Sequence, residues 1–116
     1  MNHSKEMAKL AFEAMDDKLA KDIKIIDISN ISVFADYFLI ANGTNRNQVQ
    51  AIADNVDEVM HKAGYPVKST EGFQTANWIL MDYNDIIVHV FSEEDRAFYD
   101  LERIWKDGTE VSAEDL

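Results

Sequence analysis

A chain of 116 residues, 47% of them apolar and 28% charged, has the size of one ordinary domain and enough apolar side chains for a single core. Having no cysteine, it has no disulfide scaffold, no thiolate metal site and no thiol nucleophile. Eleven Lys and Arg against twenty-two Asp and Glu leave a net charge of −11, which repels a phosphate backbone and favours a basic partner over direct nucleic-acid binding; the plainer reading is solubility alone.

Met1 to Glu13 carries Lys and Glu on a helical pattern without the apolar stretch of a signal peptide. No apolar run reaches the roughly 18 residues of a membrane span, so a soluble, cytoplasmic chain with no membrane contact is expected. After Ser4, the positions Ala8, Ala11, Phe12, Met15 and Leu19 recur at spacings of three and four and predict a helix over 5–20. Ile23 to Ile28, closed by Ser29-Asn30, reads as a strand. Tyr37 to Ala41 reads as a second, covered on both sides and ended by Asn42-Gly43. Thr44 or Asn45 then offers a cap for a helix in which Val49, Ile52, Ala53, Val56, Val59, Met60 and Ala63 keep the 3.6-residue period up to Gly64.

Pro66 to Gln74 has the composition of a short edge strand and a turn. Trp78 to Asp82 and Ile86 to Phe91 flank Tyr83-Asn84-Asp85, the strongest hairpin signal in the chain. Ser92 with Asp95 resembles a capping box and opens a third helix carrying Phe98, Leu101 and Trp105 on one face. The acidic stretch at 108–116 is expected to fray, leaving one domain over 1–107. This order predicts an α/β fold bordering on α+β, a mixed sheet flanked by helices.

Asp82, Asp85 and His89 are the first candidates for a metal or acid–base site. The hairpin separates them, since four residues of strand at about 3.3 Å each put the imidazole about 13 Å from the turn. Asp is also a common turn residue, and His89 reads as a hydrogen-bonded sheet residue. Gly43-Thr44-Asn45 before a helix invites an anion, yet it matches no phosphate-binding fingerprint and reads more simply as a capped turn. No nucleophile elbow occurs, so no catalytic residue, metal or cofactor is expected. Trp78, Met81, Tyr83 and Phe91 are residue types favoured at interfaces, with burial in the core as the competing reading.

Four blocks, Ala35 to Thr44, Glu71-Gly72, Trp78 to Phe91 and Arg96 to Trp105, together resemble the ribosomal silencing factor family, also called Iojap-like, over about Met7 to Trp105. The resemblance implies a nucleotidyltransferase-like sheet without the catalytic carboxylates, and hence a protein that is not an enzyme. It implies binding to the large ribosomal subunit through large-subunit ribosomal protein fourteen, exclusion of the small subunit, lowered translation under nutrient limitation, and a homodimer when free. It places partner binding on Trp78, Met81, Asp82, Tyr83, Asp85 and His89, with aromatic anchors and a rim of carboxylates. Asp36, Arg96, Tyr99, Glu102 and Trp105 match family positions and are assigned to fold maintenance, while Asn45 stands where many members have Ser. The alternatives are a large-subunit assembly factor and a residual magnesium-dependent nucleotidyltransferase using Asp82 and Asp85.

Overall fold

The computed structural model describes residues 3–30, 32–33, 35–93, 108–112, 114 and 116. In chain order these form α1 (Ser4–Asp17), β1 (Lys21–Asp27), β2 (Tyr37–Gly43), α2 (Arg46–Lys62), β3 (Ser69–Glu71), β4 (Trp78–Asp82), β5 (Ile86–Ser92) and β6 (Thr109–Val111). The strands make one mixed sheet in the order β3-β4-β5-β2-β1-β6. Only β2 and β5 run parallel, in register from Tyr37 opposite Ile86 to Gly43 opposite Ser92. The fold is α+β. From residue 94 on, the helix expected after Ser92 lies outside the described residues, with Arg96, Tyr99, Glu102 and Trp105.

Strand alternation divides the apolar residues into two layers. On one face Ile25, Leu39, Ala41, Ile79, Met81, Tyr83, Val88 and Val90 meet Met7, Ala11 and Met15 of α1 and Val49, Ile52, Val56 and Met60 of α2. The opposite face carries a smaller cluster of Ile26, Ile28, Ala35, Phe38, Ile40 and Phe91, with Trp78 and Ile87 packed against it. Every residue of β2 is buried, as a central strand with both faces covered requires.

The two helices are tied together by side chains of α2. Asn45 caps it, its side chain accepting from the Gln48 amide at 2.9 Å. Gln48 reaches back, its Oε1 accepting from the Thr44 amide at 2.6 Å and its Nε2 donating to the Lys18 and Leu19 carbonyls at 3.2 and 3.1 Å. Asn55 Nδ2 donates to the Ala14 carbonyl at 2.7 Å, so carbonyls at the end of α1 are satisfied from α2. Removing the cap with Asn45→Ala is expected to cost about 1 kcal/mol in urea unfolding; an unchanged midpoint would show that Gln48 alone secures this end. At the start of α1, His3 holds the N-cap position without a side-chain cap bond, and Ser4 is the buried first residue of the helix.

The acidic stretch does not simply fray: Thr109–Val111 returns to the sheet as β6. Its acidic composition masks a Thr-Glu-Val alternation in which Val111 lies opposite Ile25 and Glu110 opposite Ile26. Pairing there supplies partners for backbone groups that β1 would otherwise expose at the sheet edge. Gly108 permits the approach, since a Cβ on it would lie 2.6 Å from Ile26 Cγ2 and 2.9 Å from the Asp27 carbonyl oxygen.

Candidate functional site

The β4–β5 hairpin is the element on which the chemistry-bearing residues converge. Its turn is built by Asn84 at φ +70°, a left-handed conformation that Asn tolerates, and Tyr83 N donates to the Ile86 carbonyl at 3.0 Å. Asp82 Oδ1 accepts from Asn84 N at 2.8 Å, so this carboxylate shapes the turn. The Asp85 carbonyl accepts from Asp36 N at 2.8 Å and joins the turn to the start of β2. The strand entry is set by Gly72, at φ +78°, where a Cβ would stand only 2.1 Å from the Trp78 carbonyl oxygen. Gly72 therefore lets the preceding loop lie against the backbone of β4.

Register sets which side chains share a surface. Trp78 lies opposite Phe91, Leu80 opposite His89 and Asp82 opposite Ile87, and all six face away from the described helices. On this face Phe38 and His89 approach to 4.1 Å between ring centroids, Trp78 and His89 to 5.8 Å, and Trp78 and Phe91 to 5.4 Å. Trp78 Nε1–H donates to His89 Nδ1 at 2.8 Å. His89 is 3% exposed, and burial pushes its pKa down to about 3, so its imidazole is neutral at neutral pH.

The six residues that the family resemblance placed together are not on one surface. Met81 and Tyr83 point the other way, into the layer beneath α1 and α2, and are 1% and 3% exposed. The Tyr83 hydroxyl is buried without a hydrogen-bond partner among the described residues, and its pKa is raised by burial and then by the charge of Asp57. Trp78 and Asp82 are half-buried, Asp85 is exposed, and His89 lies within the aromatic layer. Phe38 was not among the candidates. It reaches His89 only through the parallel pairing of β2 with β5, which no local pattern announces.

No group of three or more His, Asp or Glu side chains suited to a metal occurs among the described residues. At the start of α2 the Gln48 amide and the Thr44 amide and hydroxyl are engaged within the turn itself, so Gly43-Thr44-Asn45 is a capped turn. No helix of the described residues is long and apolar enough to cross a membrane. The arrangement supports recognition through one half-buried indole and two carboxylates at the hairpin's end, held by a buried aromatic layer.

The family model described as "Ribosomal silencing factor during starvation" matches residues 1–116. The ribosomal silencing factor RsfS of Bacillus subtilis is 45% identical over 105 residues, covering 90% of this chain and 89% of that protein. The one from Halalkalibacterium halodurans is 40% identical over 111 residues, covering 96% and 95%. A crystal structure of a Chromobacterium violaceum protein matches with a TM-score of 0.88 at 34% identity, covering 97% of this chain and 92% of that one.

Proposed function

This chain belongs to the ribosomal silencing factor family, and from that premise we propose that it is a non-enzymatic repressor of translation. It binds the large ribosomal subunit through large-subunit ribosomal protein fourteen and keeps the small subunit from joining when nutrients are scarce. The observation that carries this reading is the family match along the whole chain, joined to relatives named for ribosomal silencing. It acts in the cytoplasm, needs no cofactor, and is a homodimer when free.

In this reading the partner meets the hairpin. Trp78 supplies an anchor, with Asp82 and Asp85 at the rim for Lys or Arg of a basic ribosomal protein. Met81, Tyr83 and His89 take part indirectly, Met81 and Tyr83 by fixing β4 on the helical layer and His89 by lying beside the indole. Affinity then resides in the aromatic centre, and the net charge of −11 speeds encounter.

Two variants separate these contributions. Trp78→Ala is expected to weaken binding to purified large subunits by about 2 kcal/mol or more, chiefly through faster dissociation. Asp82→Asn with Asp85→Asn keeps an acceptor for the Asn84 amide and is expected to slow association and flatten its salt dependence. Stopped-flow association and dissociation rates across a salt series read both. Association rates of the wild type that do not change with salt would remove the electrostatic part of the reading.

A further inference from the structure

The hydrogen bond from Trp78 Nε1–H to His89 Nδ1, at 2.8 Å, determines the state of the imidazole. With Nδ1 accepting, the single ring proton of the neutral form sits on Nε2. Nε2 is buried and has no hydrogen-bond partner among the described residues. A buried N–H of this kind is a cost that an apolar side chain of similar volume would not carry, so packing alone gives no reason for histidine in this layer. What the imidazole adds over an apolar group is its paired nitrogen, and that nitrogen holds the indole.

The surrounding rings make this hold directional. The imidazole lies beside the indole, edge to edge with centroids 5.8 Å apart, and Phe38 is tilted 36° against it at 4.1 Å, while the indole stacks on Phe91 at 5.4 Å with planes 22° apart. Stacking on Phe91 gives the indole N–H no particular direction, and the hydrogen bond to His89 Nδ1 supplies one. An aromatic anchor ordered before encounter loses less entropy on binding than one that must be ordered at contact.

We propose that His89 is a positioning residue for partner recognition, its Nδ1 fixing the indole of Trp78 in the orientation in which the hairpin meets the large ribosomal subunit. This inference rests on the reading that the hairpin is the partner surface.

The test measures affinity for purified large subunits with Trp78→Ala, Trp78→Phe, His89→Leu, His89→Asn and the double variant carrying His89→Leu and Trp78→Phe. Asn restores an acceptor near the place of Nδ1, whereas Leu fills space without one. Trp78→Phe and His89→Leu are each expected to weaken binding roughly tenfold, and the double variant no more than either alone. His89→Asn is expected to stay within about threefold of the wild type. The indole N–H resonance of Trp78, identified by its loss in Trp78→Phe, is expected to move upfield in His89→Leu and to hold its place in His89→Asn.

Wild-type affinity in His89→Leu, beside weak binding by Trp78→Ala, would overturn the positioning role and leave the partner surface standing. Additive losses in the double variant would do the same. Wild-type affinity in Trp78→Ala would overturn both. Should His89→Leu fail to fold by circular dichroism, wild-type affinity in Trp78→Phe would overturn the positioning role, because phenylalanine has no donor with which to keep the bond.

Discussion

Phe91→Ala is expected to lower stability by about 3–5 kcal/mol, the range for removing a fully enclosed aromatic ring from a core. Phe91 is 0% exposed and belongs to the smaller apolar layer with Ile26, Ile28, Ala35, Phe38 and Ile40. Its ring also stacks with Trp78 and His89, at centroid distances of 5.4 and 6.2 Å. The cavity would open directly beneath the indole, so the loss of stability should be accompanied by a change in tryptophan emission before unfolding. Phe91→Leu, which keeps most of the volume, is expected to cost clearly less. Urea unfolding of the three proteins gives the comparison. A loss below about 1.5 kcal/mol for Phe91→Ala would mean that the second face is loosely packed, and a rigid aromatic layer would then be the wrong description.

The second large effect is on acid stability. In the unfolded chain His89 titrates near 6.5, while in the fold burial holds its pKa down at about 3. Between these values the unfolded state binds a proton that the native state refuses, so stability is full above about pH 6.5 and falls as the solution is acidified. The slope from this residue approaches about 1.4 kcal/mol per pH unit, giving a loss of roughly 2–3 kcal/mol by pH 4.5. His89→Asn removes the titration but leaves every carboxylate in place, so the difference between wild type and variant in urea midpoints from pH 4.5 to 7.5 isolates the histidine. Parallel curves would contradict the burial of a neutral imidazole in the native state.

Local pattern revealed those parts of the fold whose stabilising contacts are close in sequence. The period from Val49 to Met60 and the Asn45 cap are both visible in α2, and the Tyr83-Asn84-Asp85 turn announces the hairpin. The parallel join of β2 to β5 could not be read this way, because its partners are almost fifty residues apart and no turn connects them directly. The same separation hides Phe38 as a neighbour of His89. The β6 strand was hidden differently: Glu110 suits an exposed edge position, so three residues that pair with β1 have the composition of a solvated tail.

The family resemblance drew six hairpin residues together as one partner site, and strand geometry divides them. Alternation alone puts Trp78 and Asp82 on one face and Met81 and Tyr83 on the other. What alternation does not say is which face the helices cover, and that depends on where α1 and α2 return to the sheet. His89 illustrates the same limit. Its place in a strand was legible, whereas its engagement with the Trp78 indole depends on the register of two strands and on the rotamers of both rings.

The proposed exclusion of the small subunit is tested most directly by light scattering as purified large and small ribosomal subunits are mixed, with the large subunits first incubated with this protein or left alone. The account predicts that joined ribosomes decrease as protein is added, reaching a minimum near one protein per large subunit, and that Trp78→Ala requires a much higher concentration. Saturated binding to the large subunit with joining unchanged in rate and extent would contradict it, and would assign the same surface to a step in large-subunit assembly.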